Sequence, residues 1–141
     1  MTHDASNTVS EGWRQALDAF IASRLNEPFA WGTNDCVMFA ADAIVAMGGE
    51  DNAKHVRGTY STAMEAERML RDLGGLQLLA RSAGTEKPSL MATQGDIGLV
   101  GDGGRQLLAV CIGTAWVAPG ATGLSVIPFE SALAAWSVSH G

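Results

Sequence analysis

Trp31-Gly32-Thr33-Asn34-Asp35-Cys36-Val37-Met38-Phe39-Ala40-Ala41-Asp42-Ala43-Ile44-Val45-Ala46-Met47 is the stretch on which the reading of this chain turns. From Cys36 onward the run is apolar nearly all round, and Gly48-Gly49 ends it. A helix that is apolar on every face belongs in the middle of a domain. Asn34 or Asp35 is then its N-cap, which puts Cys36 in the first turn. Free backbone N–H groups and the positive end of the helix dipole favour a thiolate there, so the position predicts a lowered Cys36 pKa. Such a thiolate is a nucleophile if a base and an oxyanion site lie nearby. The plainer alternative is a small core side chain, because cysteine is among the most often buried residue types.

Upstream, Trp13, Leu17, Phe20, Ile21 and Leu25 fall on one helical stripe, with Thr8-x-x-Glu11 as a capping box. Pro28 stops that period, so a helix is expected over residues 10–25. Downstream, residues 50–60 read as a polar loop. A third helix over 62–73 follows, opened by Thr62-x-x-Glu65 and closed by Gly74-Gly75. Beyond Gly75 short apolar runs separated by Gly, Pro and Asp predict strands at 76–79, 96–100, 107–112, 115–117 and 124–127. Gly101-Asp102-Gly103-Gly104 reads as a hairpin turn, and 130–138 as a helical turn ending in a strand through Trp136 and Val138. Helices first and a small antiparallel sheet second make an α+β domain, one domain over 1–141. Whether residues 1–9 are ordered is left open.

Composition narrows the function. The 141 residues are 47% hydrophobic and 17% charged, which excludes a disordered tail. A net charge of -6 repels phosphate backbones and disfavours nucleic-acid binding. No apolar run reaches the ~18 residues of a membrane span. Residues 1–11 are polar and acidic, without a basic-then-apolar leader, which points to synthesis in a cytoplasm with no signal peptide. Two cysteines are too few for a disulfide scaffold or a four-thiolate zinc site. His3, His55 and His140 lie far apart with no ligand-spaced partner, so no metal and no cofactor is expected. Trp13, Trp116 and Trp136 read as core or docking aromatics, and Asp96 as a residue that closes a turn.

Trp31-Gly32-x-x-Asp35-Cys36, leading into Phe39 and an apolar helix, resembles the nucleophile segment of the NlpC/P60 papain-like cysteine peptidases. Gly95-Asp96-Ile97-Gly98-Leu99-Val100 is similar to the family's Gly-Asp strand, and Leu107-Leu108-Ala109-Val110-Cys111-Ile112-Gly113 to the strand that follows it. Pro28-Phe29-Ala30-Trp31, Arg57-Gly58-Thr59-Tyr60, Gly123-Leu124 and Trp136 further resemble the short NlpC/P60-like proteins of phage tail gene clusters. The resemblance implies helices packed on a small antiparallel, partly barrelled sheet, with Cys36 as nucleophile and Trp31 and Asp35 beside it as cleft or oxyanion candidates. Asp35 reads as a helix cap ahead of a substrate ligand. Arg57 and Tyr60 are expected to anchor the loop over the cleft or to meet a partner protein.

One position departs from the family. Counting back from Gly113, the usual histidine falls on Leu107, or on Gln106 if the register slips by one. Leu has no proton acceptor and a Gln amide is not basic near neutral pH. His55, in the loop after the nucleophile helix, is the speculative substitute base; His3 and His140 lie at the termini. On strand alternation Cys111 shares a face with Leu107 and Ala109, expected to pack on the Cys36 helix, with its thiol reduced rather than joined to Cys36. Two functions follow. The preferred one is a structural component of a phage tail tip with an incomplete catalytic site, partnered by other tail-tip proteins and carried in the virion. The alternative is an active cysteine hydrolase that cleaves peptide or amide bonds of bacterial peptidoglycan.

Overall fold

The computed structural model describes residues 2–138, with side chains from residue 12 onward. Four helices come first: α1 (Thr2–Arg24), α2 (Cys36–Ala46), α3 (Ala63–Leu73) and α4 (Leu76–Arg81). Six strands follow: β1 (Gly84–Lys87), β2 (Ile97–Asp102), β3 (Arg105–Cys111), β4 (Ala115–Gly120), β5 (Gly123–Pro128) and β6 (Ala132–Val138). They form one antiparallel sheet in the order β1-β6-β2-β3-β4-β5. The architecture is α+β, as expected, and the sheet is open, with β1 and β5 as its edges.

α2 is the central helix. Seven of its eleven residues are buried, from Val37 to Ile44, which is why its sequence carries almost no polar face. It packs on one face of β3 through Leu108 and Val110, with Leu17 of α1 and Trp136 of β6 in the same cluster. Each large side chain buried there stabilises the fold by roughly 1.5–3 kcal/mol. The opposite face of the sheet closes on a second core built around Trp116 and Cys111. Gly98 on β2 makes room for the Trp116 ring, since a Cβ there would stand 2.5 Å from it. Trp116 also donates its indole N–H to the Phe129 carbonyl (3.0 Å) and stacks on that ring.

Three expectations are corrected. Residues 76–79 are the start of helix α4, not a strand: Leu-Gln-Leu-Leu-Ala-Arg has no β-branched residue and consists of good helix formers. α1 begins at Thr2, so Thr8 is not its N-cap; nothing in residues 3–9 is Pro or Gly to stop the helix. The side chains of Thr8 and Glu11 lie outside those described, as do those of His3 and His140. Cys111 does share a face with Ala109, but that face lines the second core, while α2 rests on the intervening residues. Cys36 and Cys111 are both free, packed against opposite faces of the sheet.

The two rims of the sheet differ from its interior. β1 is a four-residue rim strand whose Lys87 turns to meet the buried Asp96 carboxylate at 2.7 Å. Asp96 also accepts the Thr93 N–H (2.8 Å), closing the turn before β2. β5, at the other rim, gives its Leu124 N–H to the Leu25 carbonyl (3.0 Å) and stops at Pro128.

Candidate functional site

Asp35 caps α2 with extended backbone, its Oδ1 accepting the Met38 N–H at 2.9 Å. Its Oδ2 accepts two further donors, the Gly32 N–H (2.8 Å) and the Tyr60 hydroxyl (2.6 Å). Burial and the Asp35 carboxylate both hold the Tyr60 phenol in its protonated form. Gly32 has φ +83, and a Cβ on it would run into the Tyr60 carbonyl, so this position needs glycine. Asn34, fully buried, donates to the carbonyls of Glu27 (3.2 Å) and Pro28 (2.9 Å) and accepts from Arg24 (3.3 Å). The turn from Ala30 to Asn34 is thereby fixed, with Trp31 at its tip edge-on to Phe29 (4.6 Å between ring centres).

The loop that brings Tyr60 to Asp35 is itself pinned. Arg57 donates to Asp51 (2.6 Å) and Asp42 (2.6 Å), and Arg24 donates to the other oxygen of Asp42 (2.7 Å). Arg57 keeps Asp51 below the usual carboxylate range, chiefly through that hydrogen bond. Two aspartates and two arginines thus tie α1, α2 and the loop together. Arg57 and Tyr60 anchor the loop, one of the two expected roles.

Cys36 is the first residue of α2 and half-buried. Its thiol is pushed up to about 11, against the expectation from its place at a helix start. Burial is the main cause, because a thiolate there is stripped of water, and the neighbouring Asp35 carboxylate opposes a second negative charge. A hydrogen bond from the Leu108 backbone and the more distant Arg105 act the other way and do not outweigh them.

The sulfur lies in a cleft that is a split in the sheet. β2 and β3 stay paired from Ile97–Val110 to Asp102–Arg105, and β4 and β5 from Ala115–Pro128 to Gly120–Gly123. β3 and β4 pair only at Val110–Val117 and Cys111–Trp116. Pro119 explains the divergence: its side of β4 faces β3, and it has no N–H to give. The cleft encloses about 580 Å³. Trp31, Asp35, Cys36 and Leu107 all line it, together with Gln106 and Tyr60. His55 does not; it is exposed on the pinned loop. Among the described residues no histidine lines the cleft, and no group of three or more His, Cys, Asp or Glu side chains stands close enough to hold a metal ion. Asp102 and Arg105, at the β2–β3 turn, and Pro119 are lining residues that pattern reading missed. Pro119 had a usable signal, a proline inside an apolar run.

The fold is that of the NlpC/P60 domains. A crystal structure of the NlpC/p60 domain of the peptidoglycan hydrolase SagA is similar at a TM-score of 0.55 and 19% identity, over 89% of this chain and 98% of that one. No curated protein matches the chain. A family described as "Domain of unknown function (DUF6950)" matches residues 8–138, and with that match spanning α1 to β6 the chain belongs to this family.

Proposed function

We propose that this chain is a structural component of a tailed-phage tail tip, made in the host bacterial cytoplasm and carried in the virion, that keeps an NlpC/P60-like cleft without a working catalytic base. The observation that carries the reading is the wall opposite Cys36, where Leu107 and Gln106 stand and no histidine is found among the described residues. A thiol at about 11 is ionised in roughly one molecule in ten thousand at pH 7. A leaving amine also finds no general acid on that wall, and loss of one member of a nucleophile–base pair costs several orders of magnitude in rate. The residues that resemble the phage tail proteins hold the architecture: Arg57 and Tyr60 brace the cap, and Phe29 and Trp31 form the rim.

A second reading, a cysteine hydrolase acting on peptidoglycan, is favoured by the open cleft with Cys36 in its lining. Digestion of purified peptidoglycan separates the two. Wild-type protein is expected to release no fragments. Turnover abolished by Cys36→Ala overturns the structural reading. Mass spectrometry of purified phage tails is expected to find the chain as a stoichiometric component, and its absence from intact particles removes the virion assignment.

A further inference from the structure

Helix α3 is well made in itself and weakly fastened to its surroundings. At its start the Ser61 N–H donates to Glu65 (2.9 Å) and the Thr62 hydroxyl accepts the Glu65 N–H (3.2 Å). At its end the Gly75 N–H reaches the Leu70 carbonyl (2.8 Å), with Gly74 in the left-handed region at φ +92. All of these bonds stay within residues 61–75. Among the described residues no α3 side chain makes a hydrogen bond or ion pair with another element. Its outside attachment is apolar and incomplete: Ala66, Met69, Leu70 and Leu73 share one stripe, yet only Ala66 is buried and Leu73 stays 40% exposed. The helix also borders open space on three sides. Ala66, Met69 and Leu70 form a wall of the Cys36 cleft. A hollow of about 320 Å³ lies between α3 and Val56 and Thr59 of the pinned loop, and one of about 460 Å³ between α3 and Leu99 and Gln106 of the sheet.

We propose that α3 is a flap that swings as a rigid unit about Ser61-Thr62 and Gly74-Gly75 and so gates the Cys36 cleft. Both ends of the swinging segment are anchored. Tyr60 is held by its hydroxyl on Asp35, and α4 by the buried side chains of Leu79 and Ala80. Between these anchors the caps keep the helix whole, while little beyond Ala66 and parts of Met69 and Leu70 holds it down. An element with so few buried apolar contacts opens at low free energy, and lids are drawn from such elements. Gly75 is the hinge that the backbone marks. Its φ of +102 with ψ 172 is a conformation that strains any residue with a side chain, and it opens α4 with no side-chain cap. Outward movement of α3 removes one wall of the cleft and exposes the first turn of α2 from that side. The gate goes beyond the function proposed above, because it acts on whatever reaches the cleft, whether or not Cys36 turns it over.

The test uses the full chain with nitroxide labels on Glu67→Cys and Glu130→Cys, both exposed, in a Cys36→Ser background where Cys111 is fully buried. Double electron–electron resonance is expected to give two distances for this pair and one for a control pair on the sheet, Glu86→Cys with Glu130→Cys. Gly75→Ala probes the hinge dihedral alone, since a Cβ there meets nothing within 4 Å. It is expected to raise the population of the second distance at least about fivefold and to leave the control pair unchanged. Leu70→Ala, which removes footing without touching the hinge, is expected to shift the populations the same way. With Cys36 restored and the labels absent, Gly75→Ala is expected to speed alkylation of Cys36 by a bulky maleimide, relative to iodoacetamide, by a similar factor. A single distance that neither variant shifts overturns the flap. Loss of helical circular dichroism in step with the second distance overturns it in favour of melting, and a matching change in the control pair overturns it in favour of general loosening. Distances that shift while the alkylation ratio stays fixed overturn the gate.

Discussion

The reactivity of Cys36 is the sharpest test of the site. With its thiol near 11, about 0.1% is ionised at pH 8, against about a quarter of an ordinary thiol near 8.5. A more basic thiolate is also a better nucleophile, by about 13-fold for this difference at a Brønsted slope near 0.45. Alkylation by iodoacetamide at pH 8 is therefore expected to run about twentyfold slower than for an unperturbed thiol. Its rate should still be climbing tenfold per pH unit at pH 9.5. The assay is pulsed alkylation across pH 6–10, read residue by residue by peptide mapping, so that the fully buried Cys111 reports loss of the fold. An inflection at or below pH 8 would mean that the helix start and Arg105 dominate over desolvation, and the account of an unactivated thiol given above would be wrong.

The cap should be costly to remove. Asp35→Ala frees three donors at once and is expected to lower unfolding free energy by about 2–4 kcal/mol in urea titration. Tyr60→Phe removes one of those donors and is expected to cost about 1–2 kcal/mol, with a change in tryptophan fluorescence as the turn carrying Trp31 loosens. Gly98→Ala drives a methyl into the Trp116 ring and is expected to cost about 1–3 kcal/mol by thermal melting. The pH dependence has a sign on each side. Cys36 has a raised folded pKa, so its proton is released more readily in the unfolded chain, and stability should fall as pH rises above about 8.5; Cys36→Ser should flatten that limb. Asp51 has a lowered folded pKa, so its contribution is present above the unfolded value and is lost as pH falls below about 4, which acid titration by circular dichroism would register.

Helices α2 and α3 were legible because their signals are local. Asp35 before an all-apolar run, Thr62 three residues before Glu65 and the paired glycines at 48–49 and 74–75 mark ends that the structure places within a residue or two. The hairpin turn at Gly103-Gly104 and the last strand through Trp136 were equally local. β1 escaped notice because Gly84-Thr85-Glu86-Lys87 has no apolar alternation; it exists only because β6 offers an edge. The 76–79 segment was misread because a four-residue apolar run does not distinguish a strand from a buried helical turn. At the site, nearness to the helix start was visible in sequence but its electrostatic outcome was not. The Asp35 charge beside Cys36 was in the sequence too, but the burial that outweighs the helix start comes only when the fold sets the sulfur against Leu108 of β3.

The rim strands carry a further consequence. A sheet that leaves a long flat border bare recruits its own kind, and at high local concentration that leads to fibres. Here one border is four residues long with a lysine drawn inward, and the other is plugged at Leu124 and blunted by a proline at its end. Many copies can therefore be crowded together without zipping edge to edge, and a neighbour seeking backbone to bind is steered away from the outside of the sheet.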